Sequence, residues 1–135
     1  MTAQLSKNAL DVGIISADAD RVVAFYRDVL GFAALGDIPF PGIGVVHRLR
    51  CGQSVLRVFE PDTTPTRDCR GSDNFYEATG LRYLTLAVSN LAEVVEAVRA
   101  DGERVALEPT EIRPGVLAAQ IRDPDGNWIE LMQGA

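Results

Sequence analysis

Apolar positions along this chain recur with two different periods, and the switches between them mark out its elements. Residues 10–16 alternate as a strand does, and Asp18 or Asp20 can cap a following helix on which Val22, Val23, Phe25, Tyr26, Val29 and Leu30 form one stripe. Gly31 ends that helix, because the left-handed conformation usual at this point costs glycine nothing. Three short strands are predicted next, at about residues 32–38, 45–50 and 54–60, divided by the turn-formers Pro39-Phe40-Pro41-Gly42 and Cys51-Gly52. Over residues 61–79 the pattern lapses into polar residues, Pro and Gly with two isolated aromatics, Phe75 and Tyr76, which reads as a link or a loop lying over a site.

The first pattern then returns. Residues 81–88 are strand-like, Asn90 with Glu93 makes a capping box, and Leu91, Val94, Val95 and Val98 stripe a second helix closed by Asp101-Gly102. Weaker strands at residues 103–107, 116–122 and 127–132 follow, the last two joined by the turn Asp123-Pro124-Asp125-Gly126. Asp18 and Asn90 are 72 positions apart, Gly31 and Gly102 are 71, so cap, stripe and stop recur together. This predicts one domain over residues 1–135 built as two modules of one plan, about 8–60 and 80–132, joined by 61–79. Each module's sheet would have one face on its helix and one open, and two half-open sheets are expected to pair around a shared cavity.

Alternation suggests what faces that cavity. Val12 and Ile14 form the better helix-packing pair, which turns Asp11 inward. Leu56, Val58 and Glu60 share a face, as do Tyr83, Thr85 and Ala87, and in the last strand Trp128, Glu130 and Met132 oppose Ile129 and Leu131. Asp11, Glu60, Tyr83 and Glu130 are therefore expected to converge. Asp11 and Tyr83 are 72 apart and Glu60 and Glu130 are 70, close to the repeat distance. Carboxylates gathered in half-buried strands need a divalent cation, an arginine partner or a retained proton. His47, the only histidine, is expected on the inward side with Glu60, as a base or as a hydrogen-bond partner of the substrate. Arg48, Arg50 and Arg57 alternate to the other side, while Trp128, Phe75 and Tyr76 can line an apolar ligand.

Composition narrows the class. Of 135 residues, 47% are hydrophobic and 24% charged, as in a folded globular domain. The net charge of -6 disfavours a general nucleic-acid binder. Apolar runs fall well short of the ~20 residues of a membrane helix, and residues 1–11 show no signal-peptide pattern, so a soluble cytoplasmic protein is expected. Cys51 and Cys69 are too few for a disulfide framework or structural zinc site and are expected as reduced thiols.

Three stretches, Asp11-Val12-Gly13-Ile14-Ile15, Phe25-Tyr26-Arg27-Asp28-Val29-Leu30-Gly31-Phe32 and Arg122-Asp123-Pro124-Asp125-Gly126-Asn127-Trp128-Ile129-Glu130-Leu131, together resemble the vicinal oxygen chelate superfamily. That group includes glyoxalase I, methylmalonyl-CoA epimerase, extradiol dioxygenases and bleomycin- or fosfomycin-resistance proteins. The resemblance implies an α+β fold of tandem βαβββ modules forming a cupped, partly open mixed β-sheet barrel with helices outside, and a homodimer. It further implies metal positions at Asp11, Glu60 and Glu130, with Tyr83 where a histidine usually stands. An all-oxygen set favours Mg²⁺, Mn²⁺ or Ca²⁺ over zinc, and without histidines the iron dioxygenase reading weakens; a site with no metal is the alternative. No residue argues for a glutathione site. The function expected is an isomerase, epimerase or lyase that moves a proton next to a carbonyl of a small organic molecule, with Glu60 and Glu130 as base and acid and Tyr83 assisting. The alternative is a metal-free binding, sequestering or resistance protein.

Overall fold

The computed structural model describes residues 1–68, 70 and 73–134; Cys69 lies outside them. The chain divides into two compact units, Met1–Thr66 and Arg67–Ala135. The first contains β1 (Val12–Ile15), α1 (Ala19–Ala24) running into a π-helical turn (Phe25–Val29), then β2 (Ala33–Phe40), β3 (Gly44–Cys51) and β4 (Ser54–Pro61). The second contains β5 (Tyr83–Ala87), α2 (Leu91–Ala100), β6 (Val105–Arg113), β7 (Val116–Arg122) and β8 (Trp128–Gln133). Each is a βαβββ unit with one four-stranded mixed sheet, in the order β1-β4-β3-β2 and β5-β8-β7-β6. The expected α+β plan of two like modules is what the chain adopts.

In the first unit β1 runs parallel to β4, Val12 beside Leu56 and Ile14 beside Val58. These four face α1, and Leu56, Val58 and Leu49 are buried with Val22, Phe25 and Tyr26 of the helix. A ring pair, Phe25 edge-on to Tyr26 at 5.4 Å, closes that core, and Gly31, at φ 79°, turns the chain out of it. In the second unit Leu91, Val95 and Val98 of α2 bury against Ala119, Ile121, Ile129 and Leu131. The two cores use the same positions because the two sheets have the same register: Val12 beside Leu56 in one, Leu84 beside Ile129 in the other.

Three elements depart from expectation. The first helix ends in a π-helical turn. The strand expected at residues 103–107 runs on to Arg113, through Pro109; as the sheet's edge, β6 can carry a residue with no N–H to give, and its pairing with β7 breaks register repeatedly. Neither helix has a side-chain cap of its own, as Asn90 only reaches Glu93 at 3.4 Å. The first helical N–H is taken instead from across the fold: Glu60 Oε2 accepts from Ala19 at 2.8 Å, and Gln133 Oε1 accepts from Leu91 at 2.8 Å. Among the described residues no helix is long and apolar enough to cross a membrane.

Candidate functional site

The face of the first sheet away from α1 is built in cross-strand rows. Ile15, Phe59, Val46 and Ile38 make one apolar row, and Gly13, Arg57, Arg48 and Gly36 make the next. Beyond them Val55 and Arg50 pair, beside Asp11. Asp11 sits at the head of β1, where its Oδ1 accepts from Lys7 Nζ at 2.6 Å and from the Val55 N–H at 2.9 Å, and its Oδ2 lies 3.5 Å from Arg57. Lys7 first, then the Val55 N–H, hold its carboxyl below the ordinary value of 3.8.

Glu60 is not on that face. Leu56 and Val58 pack on the helix, and two residues further on Glu60 follows them, its carboxylate anchoring α1. The expectation that it shares a face with Asp11 fails on parity, and the rule that turns Val12 and Ile14 toward α1 already signals as much. His47 goes with it: paired with Val58 across β3 and β4, it lies on the helix side, and its Nδ1 is 2.9 Å from Asp37 Oδ1. The arginines that alternate against His47 and Glu60 are thereby on the face away from α1, with Arg57 reaching Asp11.

The far face of the second sheet carries Tyr83, Trp128 and Arg122 in one row and Thr85, Glu130 and Gln120 in the next. Glu130 stands between Trp128 and Met132 along β8, and its Oε1 accepts from the Thr85 hydroxyl at 2.9 Å. Trp128 is buried, and its indole N–H has no hydrogen-bond partner among the described residues. The guanidinium of Arg122 lies 4.4 Å over the Trp128 ring and is fixed by the Gly126 carbonyl, to which Nε and Nη2 donate at 2.8 and 2.6 Å. Burial, then Arg104 nearby, lower its pKa. Phe75 joins this row, its ring 5.6 Å from Tyr83 and 6.0 Å from Trp128. Tyr76 touches Phe75 edge-on at 5.2 Å but is 76% exposed. The turn that aims β8 is held by Asp123, buried, whose carboxylate accepts from the Asp125 and Asn127 N–H groups and the Asn127 amide.

Missed from the sequence is the correct partner of Glu130. The offset across the last strands is 73, so Glu130 corresponds to Arg57, and Glu60 corresponds to Gln133, which does the same anchoring work. The donor sets do not fit a divalent ion within either unit. In the first, Asp11 is the only carboxylate on the face among the described residues, and it is already bonded to Lys7 and flanked by Arg57. In the second, Glu130 stands among a phenol, a hydroxyl and an amide, which are weak ligands. Among the described residues no three His, Cys, Asp or Glu side chains group as a metal site would need.

Comparison with known proteins agrees with this architecture. The chain is 28% identical over 123 residues to the lactoylglutathione lyase of Arabidopsis thaliana, which covers 86% of the chain but 40% of the plant protein. The chain thus spans about two fifths of that relative. The lactoylglutathione lyase of Haemophilus influenzae is 28% identical over 117 residues, covering 86% of the chain and 84% of that protein. Among solved structures, the trypanothione-dependent glyoxalase I of Leishmania major superposes with a TM-score of 0.73 at 25% identity, over 96% of this chain and 88% of that one. A model of the Glyoxalase/Bleomycin resistance protein/Dioxygenase superfamily matches residues 9–131, nearly all of both βαβββ units. The chain belongs to the glyoxalase, bleomycin resistance protein and dioxygenase superfamily.

Proposed function

We propose that this chain is a glyoxalase-type enzyme, a lyase or isomerase that moves a proton next to a carbonyl of a small organic substrate, with Glu130 as the carboxylate that carries the proton. One observation supports this above the others. Among the described residues Glu130 is held on the far face of the second sheet by a hydroxyl alone, whereas Asp11, Asp28, Asp68, Asp73, Glu96 and Glu108 each have a cation beside them. A carboxylate with no cation beside it among the described residues, set between the apolar Trp128 and Met132, fits the role of a general base there.

Proton removal from the carbon next to the carbonyl sends the electron pair of the C–H bond to the carbonyl oxygen. That oxygen gains charge and needs a donor; the Tyr83 hydroxyl and the unpartnered Trp128 N–H stand in the adjacent row. In an α-hydroxycarbonyl substrate, protonated Glu130 then delivers its proton to the former carbonyl carbon, while the α-hydroxyl oxygen becomes the new carbonyl and its proton passes to the charged oxygen. Phe75 and Tyr83 supply apolar surface for the substrate's body, and Tyr76 lies at their edge. Enzymes of the glyoxalase family typically use a divalent metal, but the side chains here do not assemble a donor set in either unit, and no step above passes through one.

The test is solvent-deuterium incorporation, followed by NMR, into a panel of carbonyl compounds and in the lactoylglutathione lyase reaction after which the relatives are named. Wild-type protein exchanges the proton of its substrate, and Glu130→Gln slows exchange by roughly 10²–10⁴ while still binding. A compound that binds but never exchanges, across the whole panel, replaces this reading with that of a binding or sequestering protein.

A further inference from the structure

We infer that the far face of the first sheet binds a small organic acid, its carboxylate or phosphate group seated on Arg48, Arg50 and Arg57 and its apolar body on the row beside them. The inference goes beyond turnover at Glu130 and stands without it.

The arrangement is costly unless an anion is present. Arg48 and Arg57 are direct cross-strand partners, and Arg50 lies two residues along β3 on the same face. Like charges directly opposite one another destabilise a sheet. The one carboxylate at hand, Asp11, is already bonded to Lys7. Four cations against one anion therefore collect on one small face of a chain whose net charge is -6. Arg50 is exposed and has no partner among the described residues.

The guanidiniums are also positioned for a planar acid. Register slips between Ala34 and Gly36, and the displaced carbonyls of Leu35 and Gly36 accept from Arg48 Nη2 and Nε at 3.1 and 3.4 Å. Arg57 is steadied from the other side by Asp11. At both ends of the arginine row the sheet has glycine, Gly13 and Gly36, where an added Cβ would meet nothing within 4 Å. The arginine row is thus bounded by glycines with open space over them, and the exposed Arg50, next to Arg48 and Arg57, has its guanidinium fork to offer an acid's two oxygens. Immediately alongside runs the apolar row of Ile15, Phe59, Val46 and Ile38. Charge in one row and hydrocarbon in the next is the pattern an amphipathic acid would complete.

Isothermal calorimetry on the full chain at low ionic strength, with hexanoate, hexyl phosphate and hexanol as probes, tests this. Saturable binding of hexanoate assigns the site to carboxylic acids, of hexyl phosphate to phosphate esters; hexanol, which lacks the charge, does not bind. Arg57→Gln and Arg50→Gln each weaken the bound acid about tenfold or more, the loss of one charge-assisted contact. Gly13→Val, whose backbone tolerates a side chain, weakens binding with every charge kept. Arg27→Gln, an exposed arginine of the π-helical turn that is paired with Asp28, has no effect. Deuterium exchange is measured separately on the same variants, so loss of turnover and loss of this site remain separate results. Failure of both acids to saturate, equal binding of hexanol, or unchanged affinity in Arg57→Gln and Arg50→Gln overturns the inference.

Discussion

Asp11 and Glu60 show how far one residue's surroundings decide its use. Both are acids at strand ends, yet one sits among cations and the other accepts a helix N–H. The Asp11 carboxyl is held below its ordinary value of 3.8, chiefly by Lys7. A depressed acid contributes stability above its unfolded pKa, and the contribution is lost as pH falls through the folded value. A ¹³C titration of the Asp11 carboxyl is expected to have its midpoint below 3.8, and Lys7→Met is expected to move it back toward that figure. A midpoint unmoved by the substitution would mean that the Val55 N–H, not Lys7, sets it. His47 makes the complementary point: its place on the helix side, 2.9 Å from Asp37, makes it a cross-strand partner rather than a contact of anything on the arginine face.

At the level of elements, each helix begins at a side chain from the last strand of its own unit. Glu60, one residue before the end of β4, and Gln133, the last of β8, both lie 2.8 Å from the first helical N–H. Glu60→Ala and Gln133→Ala are each expected to cost about 1 kcal/mol, comparable to losing an N-cap, while Glu60→Gln costs much less. Urea unfolding measures both, and equal stability of Glu60→Ala and wild type would deny the anchor. The strand-helix-strand order, the glycine stops and the repeat are legible in the sequence because they rest on local periodicity and turn chemistry. The inward set is not, because it depends on which face of β4 meets the helix, and a single slip of parity exchanges Glu60 for Arg57. The 73-residue offset that pairs Glu130 with Arg57 becomes visible only when β1 and β4 are laid in register. The long reach of β6 stays hidden for another reason: Pro109 argues against a strand unless one knows that the strand is an edge.

For the molecule as a whole, the superfamily supplies the scaffold and this chain's own side chains decide the chemistry. With Arg57 at the place that corresponds to Glu130, proton transfer is expected to survive chelation. Protein purified without chelator and then treated with EDTA should exchange deuterium at an unchanged rate, and loss of activity restored by a divalent ion would refute the donor-set reading. The chain's one tryptophan, Trp128, lies wholly in the second unit, stacked under Arg122 and near Phe75. Its fluorescence is therefore a built-in reporter carried by that half of the chain. Emission and far-ultraviolet dichroism recorded on the same melt will coincide if the two halves come apart together, and will separate if the arginine-bearing half loosens first.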